Sequence, residues 1–160
     1  MELTQLTYQG FPCIGYGSES TLYRVDEHLV AKVPLPHCPI ENLDHEFSLG
    51  NLLCEAGISA PRMEGIFEMI FSSGRKPALV MQYVPGSKVS DLTNPNLKAH
   101  AIALLKAERS KAIDYGFFMK DVGFDNGIYL PREDKVVLVD FISWQKEGHD
   151  CPGCPRERIK

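Results

Sequence analysis

A few short stretches of this sequence carry side chains that can do chemistry. In IGYGSESTLY, Gly15 and Gly17 stand one residue apart between strand-like runs, where missing side chains let backbone amides approach an anion. A tight turn alone also accounts for that pair. Lys32 in VAKV places one amine on an otherwise apolar strand; read alone, it is a surface lysine on an edge strand. Glu46, on the helical segment that follows, shares a face with Leu49 and Leu53 by i, i+3, i+7 spacing and is its candidate partner. A lysine fixed by a helix-borne carboxylate and facing a glycine loop is a phosphate clamp. In MKDVGFDNGIYL, Asp121, Asp125 and Asn126 are turn formers, and a β-hairpin explains them in isolation. Asp140 is harder to place that way, because it ends the apolar run VVLV with a carboxylate that is costly to bury unless a cation or donors satisfy it.

The elements that must position these groups follow from periodicity. Phe11 to Val33 reads as a β-meander broken at YGSES and DEHL. Glu41 to Ala56 carries Leu43, Phe47, Leu49, Leu52 and Leu53 at helical spacing, with Gly57 as its stop. Strands are expected at Met63 to Phe71 and Ala78 to Val84 around the polar turn SSGRKP, and a long helix over Asn94 to Tyr115. GIYL and KVVLVDF should form two short strands joined by PRED, and the tail from Ser143 has no periodicity, with Trp144 expected to anchor it. Its HDCPGCP brings together His149, Cys151 and Cys154, half of a zinc knuckle. A structural site takes four ligands and the nearest other pair, His37 and Cys38, is distant in sequence, so zinc is not expected there.

Composition sets the bounds. The chain has 160 residues, 44% hydrophobic and 24% charged, which fits one domain or two small lobes sharing a cleft. No apolar run reaches membrane-spanning length, so no membrane partner is expected. A net charge of −4 without a basic face argues against nucleic acid, and five cysteines without framework spacing fit reduced thiols in a cytoplasmic compartment.

Taken in order, GYGSESTLY, VAKV, the Glu46 helix ending in AGISAP, LVMQYVPG, KDVGFDN and LVDF resemble the protein kinase fold. The texture is similar to small atypical members: RIO-type and Bud32-type kinases, aminoglycoside phosphotransferases and compact kinases injected by bacterial pathogens. The resemblance implies an α+β, two-lobed, kinase-like fold: an antiparallel sheet N-lobe with one αC-like helix over about residues 8–84, a strongly truncated helical C-lobe over 85–145, and a tail over 146–160. It also implies ATP and Mg²⁺ as cofactors. Amides around Gly15, Gly17 and Ser18 would cover the phosphates and Lys32, held by Glu46, would contact them. Asn126 and Asp140 would hold magnesium, and Asp121 would be the base. Met81 looks like a gatekeeper, with the backbone of Gln82, Tyr83 and Val84 on the adenine edge, and Val30 or Ala31 above and Ile128 or Leu130 below as apolar walls.

Departures from the family shape the expected function. Met119 and Lys120 stand at the His and Arg positions of the catalytic loop, so regulation by activation-loop phosphorylation is not expected. Gly123 stands where many kinases keep a residue near the γ-phosphate, and DFG becomes DFI at Ile142. Twenty residues follow Asp140, which leaves little length for C-terminal helices. The expectation is a minimal protein kinase acting on Ser or Thr, less readily Tyr, of a protein substrate, cytoplasmic or delivered into a host cytoplasm. The alternatives are a small-molecule kinase of the aminoglycoside type and a nucleotide-binding pseudokinase.

Overall fold

A computed structural model of the chain describes residues 5–7, 10–119 and 123–149. Asp121, Cys151 and Cys154 lie outside the described residues. Within those residues the protein is α+β, with two α-helices and a six-stranded sheet that is antiparallel except for one parallel edge pair.

The meander forms as expected: β2 (Cys13–Tyr16), β3 (Ser20–Arg24) and β4 (Leu29–Pro34) are antiparallel neighbours, where β1 is Gln5–Thr7. Asp26 closes the turn into β4 by accepting the N–H groups of His28 at 2.7 Å and Leu29 at 2.8 Å. β4 is not an edge strand, because Lys32 lies between Leu22 on β3 and Leu79 on β6 (Gly74–Gln82). Alternation along LVAKVP sends Ala31 and Val33 to one face, where they pack with Met69, Ala78 and Val80, and sends Lys32 to the opposite face. β5 (Met63–Phe71) completes the sheet in the order β1-β5-β6-β4-β3-β2. The expected turn SSGRKP shrinks to Ser72 and Ser73, since Phe71 pairs with Gly74, and β6 stops at Gln82 rather than Val84. Pro77 fits in β6 because the pairing with β4 reaches only to Leu79, so no ladder bond on that side needs its missing N–H.

α1 (Glu41–Glu55) buries Leu43, Glu46, Leu49, Gly50 and Leu53, while Phe47 and Leu52 are only partly buried. Gly57, at φ +73°, stops it in a Schellman arrangement: its N–H donates to Cys54 at 3.0 Å and that of Ile58 to Leu53 at 3.0 Å. α2 (Pro95–Asp114) starts at Asn94, whose side chain accepts the Leu97 N–H at 3.0 Å, with Pro95 in the first turn.

The chain from Met119 to Leu130 is not a hairpin, although its turn-forming residues point to one. β8 (Phe117–Met119) pairs with β11 (Trp144–Lys146), whereas β9 (Gly127–Leu130) pairs with β10 (Lys135–Leu138) and with the short β7 (Ser87–Lys88). The two apolar runs thus serve different sheets. β11 also corrects the reading of the tail as irregular from Ser143; three residues are too few to show a period. Trp144 is buried edge-on to Phe141 with ring centroids 5.2 Å apart, and its backbone is held by α1 through a His45 ring bond of 2.7 Å. One continuous core runs from Leu49 and Leu53 on α1 through Leu105 on α2 to Phe141 and Trp144. No helix among the described residues is long and apolar enough to cross a membrane.

Gly86, in the connection from β6 to β7, lies so close to β9 that a Cβ there would meet the Tyr129 carbonyl at 2.2 Å and the Ile128 side chain at 2.7 Å. Gly86→Ala is therefore expected to cost about 1–3 kcal/mol of unfolding free energy, read from a lower urea midpoint at unchanged m.

Candidate functional site

Five elements converge on a cleft of about 330 Å³. The turn between β2 and β3 roofs it with Gly15, Gly17 and Ser18, β4 contributes Val30 and Lys32, and α1 contributes Glu46. Met81, Gln82, Tyr83 and Val84 form one edge, while Asn126, Ile128 and Asp140 close the floor and the far end. Every described residue that the sequence nominated for the site is thus brought together, Asp121 being outside the described residues. Of the proposed apolar walls Val30 and Ile128 line the cleft; Ala31 faces the other side of the sheet by alternation.

Lys32 is the centre. Its Nζ donates to Glu46 Oε2 at 2.7 Å and Oε1 at 3.0 Å, and to Asp140 Oδ1 at 3.1 Å. The Lys32 and Glu46 side chains are 8% and 1% exposed, while that of Asp140 is 52% exposed and looks into the cleft. One ammonium serving two carboxylates leaves the cluster with an excess negative charge. Burial pulls the Lys32 pKa down, but the charges of Glu46 and Asp140 and their hydrogen bonds overcome it and hold Lys32 above its ordinary value. Burial pushes the Glu46 carboxyl up and Asp140 adds to that, against the opposing pull of Lys32 and the Phe141 N–H. Both directions express the same excess: protons stay more readily on a cluster that is short of positive charge. The Lys32 contribution to stability is therefore present at neutral pH and lost only as alkaline pH passes its raised value.

Asp140 is held in a left-handed backbone conformation at φ +65°, which asparagine and aspartate tolerate better than most side chains. The neighbouring Val139 N–H donates to the Asn126 carbonyl at 3.0 Å, and Leu138 N–H to Ser59 at 2.8 Å. Phe141 N–H reaches Glu46, so the same carboxylate grips the lysine and the residue after Asp140. Asn126 is buried at the end of a 3₁₀ turn over Phe124–Asn126. The loop carrying Asp121 is pinned at both described ends: Met119 pairs with Trp144, and Arg109 of α2 donates to the Gly123 carbonyl at 2.6 Å. No motif spacing signals Arg109; only the packing of α2 brings it there.

The edge formed by Gln82–Val84 is narrower than expected. Gln82 N–H donates to Arg62 at 2.8 Å and Tyr83 N–H to His28 at 2.7 Å, so the fold itself uses both amides. Val84 is the one whose N–H meets no backbone acceptor among the described residues. The Tyr83 ring is capped by the Arg24 guanidinium, 3.5 Å from its centroid. Sequence reasoning missed Ile14, Lys88 and Val139 as cleft residues, none of which stands in a motif.

The glycines of the turn are informative by what does not crowd them. A Cβ on Gly15 would meet only the Leu22 side chain at 3.7 Å, and one on Gly17 only the Ser20 carbonyl at 3.5 Å, both ordinary contacts. Nothing in the packing demands glycine there, which leaves close approach of a molecule in the cleft as the use of the missing side chains. A cation fits the opposite end, where excess negative charge and the oxygens of Asp140 and Asn126 are present. Magnesium takes few protein ligands, so two suffice although the described residues hold no cluster of three or more His, Cys, Asp or Glu. No protein-family model matches the chain, and no curated protein matches it.

Removing one partner of a buried pair leaves the other uncompensated. Glu46→Ala is expected to lower the unfolding free energy by about 3 kcal/mol, with Asp140 left as the carboxylate nearest Lys32. Gly17→Ala, by contrast, should stay within about 0.5 kcal/mol of the parent, and paired urea titrations would show whether the turn is free of packing demands as described.

Proposed function

We propose that the protein is an ATP- and magnesium-dependent phosphotransferase, a minimal protein kinase acting on a Ser or Thr hydroxyl of a protein substrate. The observation that carries this reading is Lys32 held between Glu46 and Asp140 beneath a glycine turn whose amides face the same cleft. Burying an ammonium and a carboxylate is a poor way to gain stability, since desolvation consumes several kcal/mol per ion. At the wall of an open cleft the pair makes sense as a device for holding phosphate oxygens.

On this reading the sheet and α1 form a kinase-like N-lobe, and the part from Gly86 to Trp144, with α2 as its long helix, is a much reduced C-lobe. Lys32 fixes the α- and β-phosphates, the amides around Gly15, Gly17 and Ser18 cover them, and Val84 N–H meets the adenine edge between Val30 and Ile128. Asn126 and Asp140 hold magnesium, which neutralises charge developing on the transferred phosphoryl group. Asp121 orients the attacking hydroxyl and takes its proton. A protein is favoured over a small molecule as substrate because no enclosed acceptor pocket accompanies the cleft among the described residues.

Incubation of the purified protein with γ-labelled ATP, magnesium and a cell lysate is expected to label a protein. Asp140→Asn should abolish transfer and Asp121→Ala reduce kcat by about 10²–10⁴-fold. Unchanged transfer in both variants would sink the residue assignments, label on a small molecule would redirect the substrate class, and nucleotide binding without transfer would make the protein a pseudokinase.

A further inference from the structure

Away from the cleft, two buried histidines have no part in the phosphotransfer reading. His45 lies on α1 beside Glu46, 2% exposed, and its Nε2–H donates to the Trp144 carbonyl at 2.7 Å. A carbonyl only accepts, so the proton sits on Nε2 and Nδ1 is the basic nitrogen of that ring. Past β11 the chain turns at Gly148, at φ +72°, with the His149 N–H donating to Lys146 at 3.1 Å. That turn directs His149 back toward α1. Its Nε2 is buried with no hydrogen-bond partner among the described residues. The two rings are near enough to feel one another: burial lowers the His45 pKa most, and the charge of His149 lowers it further, against the Trp144 carbonyl.

A buried imidazole nitrogen without a partner costs on the order of 1–3 kcal/mol. The sequence supplies groups that would relieve that cost. Cys151 and Cys154, outside the described residues, follow His149 by two and five positions. At no more than about 3.6 Å per residue, the Cα of Cys151 must lie within about 7 Å of that of His149. Spacing alone offered three ligands, one short of a structural zinc site, and His37 and Cys38 were the only other pair in view. The fold supplies the fourth from α1.

We propose a structural zinc site formed by His45, His149, Cys151 and Cys154. His45 binds through Nδ1 while its Nε2–H rests on the Trp144 carbonyl, the pattern in which a ligating imidazole is oriented by a backbone acceptor on its other nitrogen. Two cysteines and two histidines suit tetrahedral zinc, and binding releases the two thiol protons. The described residues contain two of the four ligands, and so no group of three. The metal would tie α1 to the strand that follows Phe141, next to the residues that hold Lys32 and Asp140. This inference does not depend on phosphoryl transfer.

The test is metal binding by the full chain. After reduction, loading with zinc and dialysis, elemental analysis should find one zinc per chain, and cobalt(II) in its place should give thiolate charge-transfer bands and the intense visible bands of a tetrahedral site. Cys151→Ser with Cys154→Ser should abolish both, and His149→Ala should weaken zinc binding by about 100-fold or more. Because His45 is buried, His45→Asn is read alongside circular dichroism; a folded variant should lose affinity to a similar extent. Substoichiometric zinc, cobalt spectra without thiolate bands, a Cys151–Cys154 disulfide that takes up no metal once reduced, or unchanged affinity in a folded His45→Asn chain would each overturn the proposal.

Discussion

The structure turns on one buried ion pair and the third group that shares it. Lys32 occupies a central strand where every neighbour in sequence is apolar, and only Glu46 makes its burial tolerable. Because Glu46 comes from α1, the pair fixes how the helix docks on the sheet. Because Asp140 comes from the loop after β10, the same ammonium reaches a part of the chain 108 residues away. The resulting surplus of negative charge is what makes one end of the cleft receptive to a cation, and Lys32 itself is what makes its middle receptive to an anion.

The surroundings serve that cluster in a physically consistent way. Phe141 puts its N–H on Glu46 and its ring against Trp144, so the residue after Asp140 is anchored by both a polar and an apolar contact. Trp144 in turn hangs from His45, the residue before Glu46. The two sides of the cleft are therefore joined behind the ion pair as well as through it, and a zinc ion bridging His45 and His149 would add a further tie at the same place. Asp140 carries an uncommon backbone conformation at φ +65°, and it keeps it because the bonds of Val139 and Phe141 fix the backbone on either side.

Much of the site was legible from residue types and spacing. The glycine pair, Lys32 on an apolar strand, Glu46 on the buried face of a helix and Asp140 at the end of VVLV are local patterns, and the structure brings those residues to one cleft. Less legible was anything that depends on pairing. MKDVGFDNGIYL has the composition of a hairpin, yet its two apolar runs pair with partners remote in sequence. The amides of Gln82 and Tyr83 looked available until the fold assigned them to Arg62 and His28. Arg109 and Lys88 sit in no motif, because a single helix contact or a two-residue strand leaves no period to read.

The sequence by itself determined the secondary elements with long periods, the polarity of each face and the identity of the groups that can hold phosphate and metal, since these depend on the 2.0 and 3.6 periodicities and on side-chain chemistry alone. Tertiary structure decided which of those groups meet. Whether Lys32 was a surface lysine or a buried clamp depended on β6 pairing beside β4, and whether HDCPGCP lacked a fourth ligand depended on where Trp144 placed it against α1. Both are long-range contacts, whose partners are selected by how hydrophobic surfaces close on one another and leave no mark at any one position along the chain.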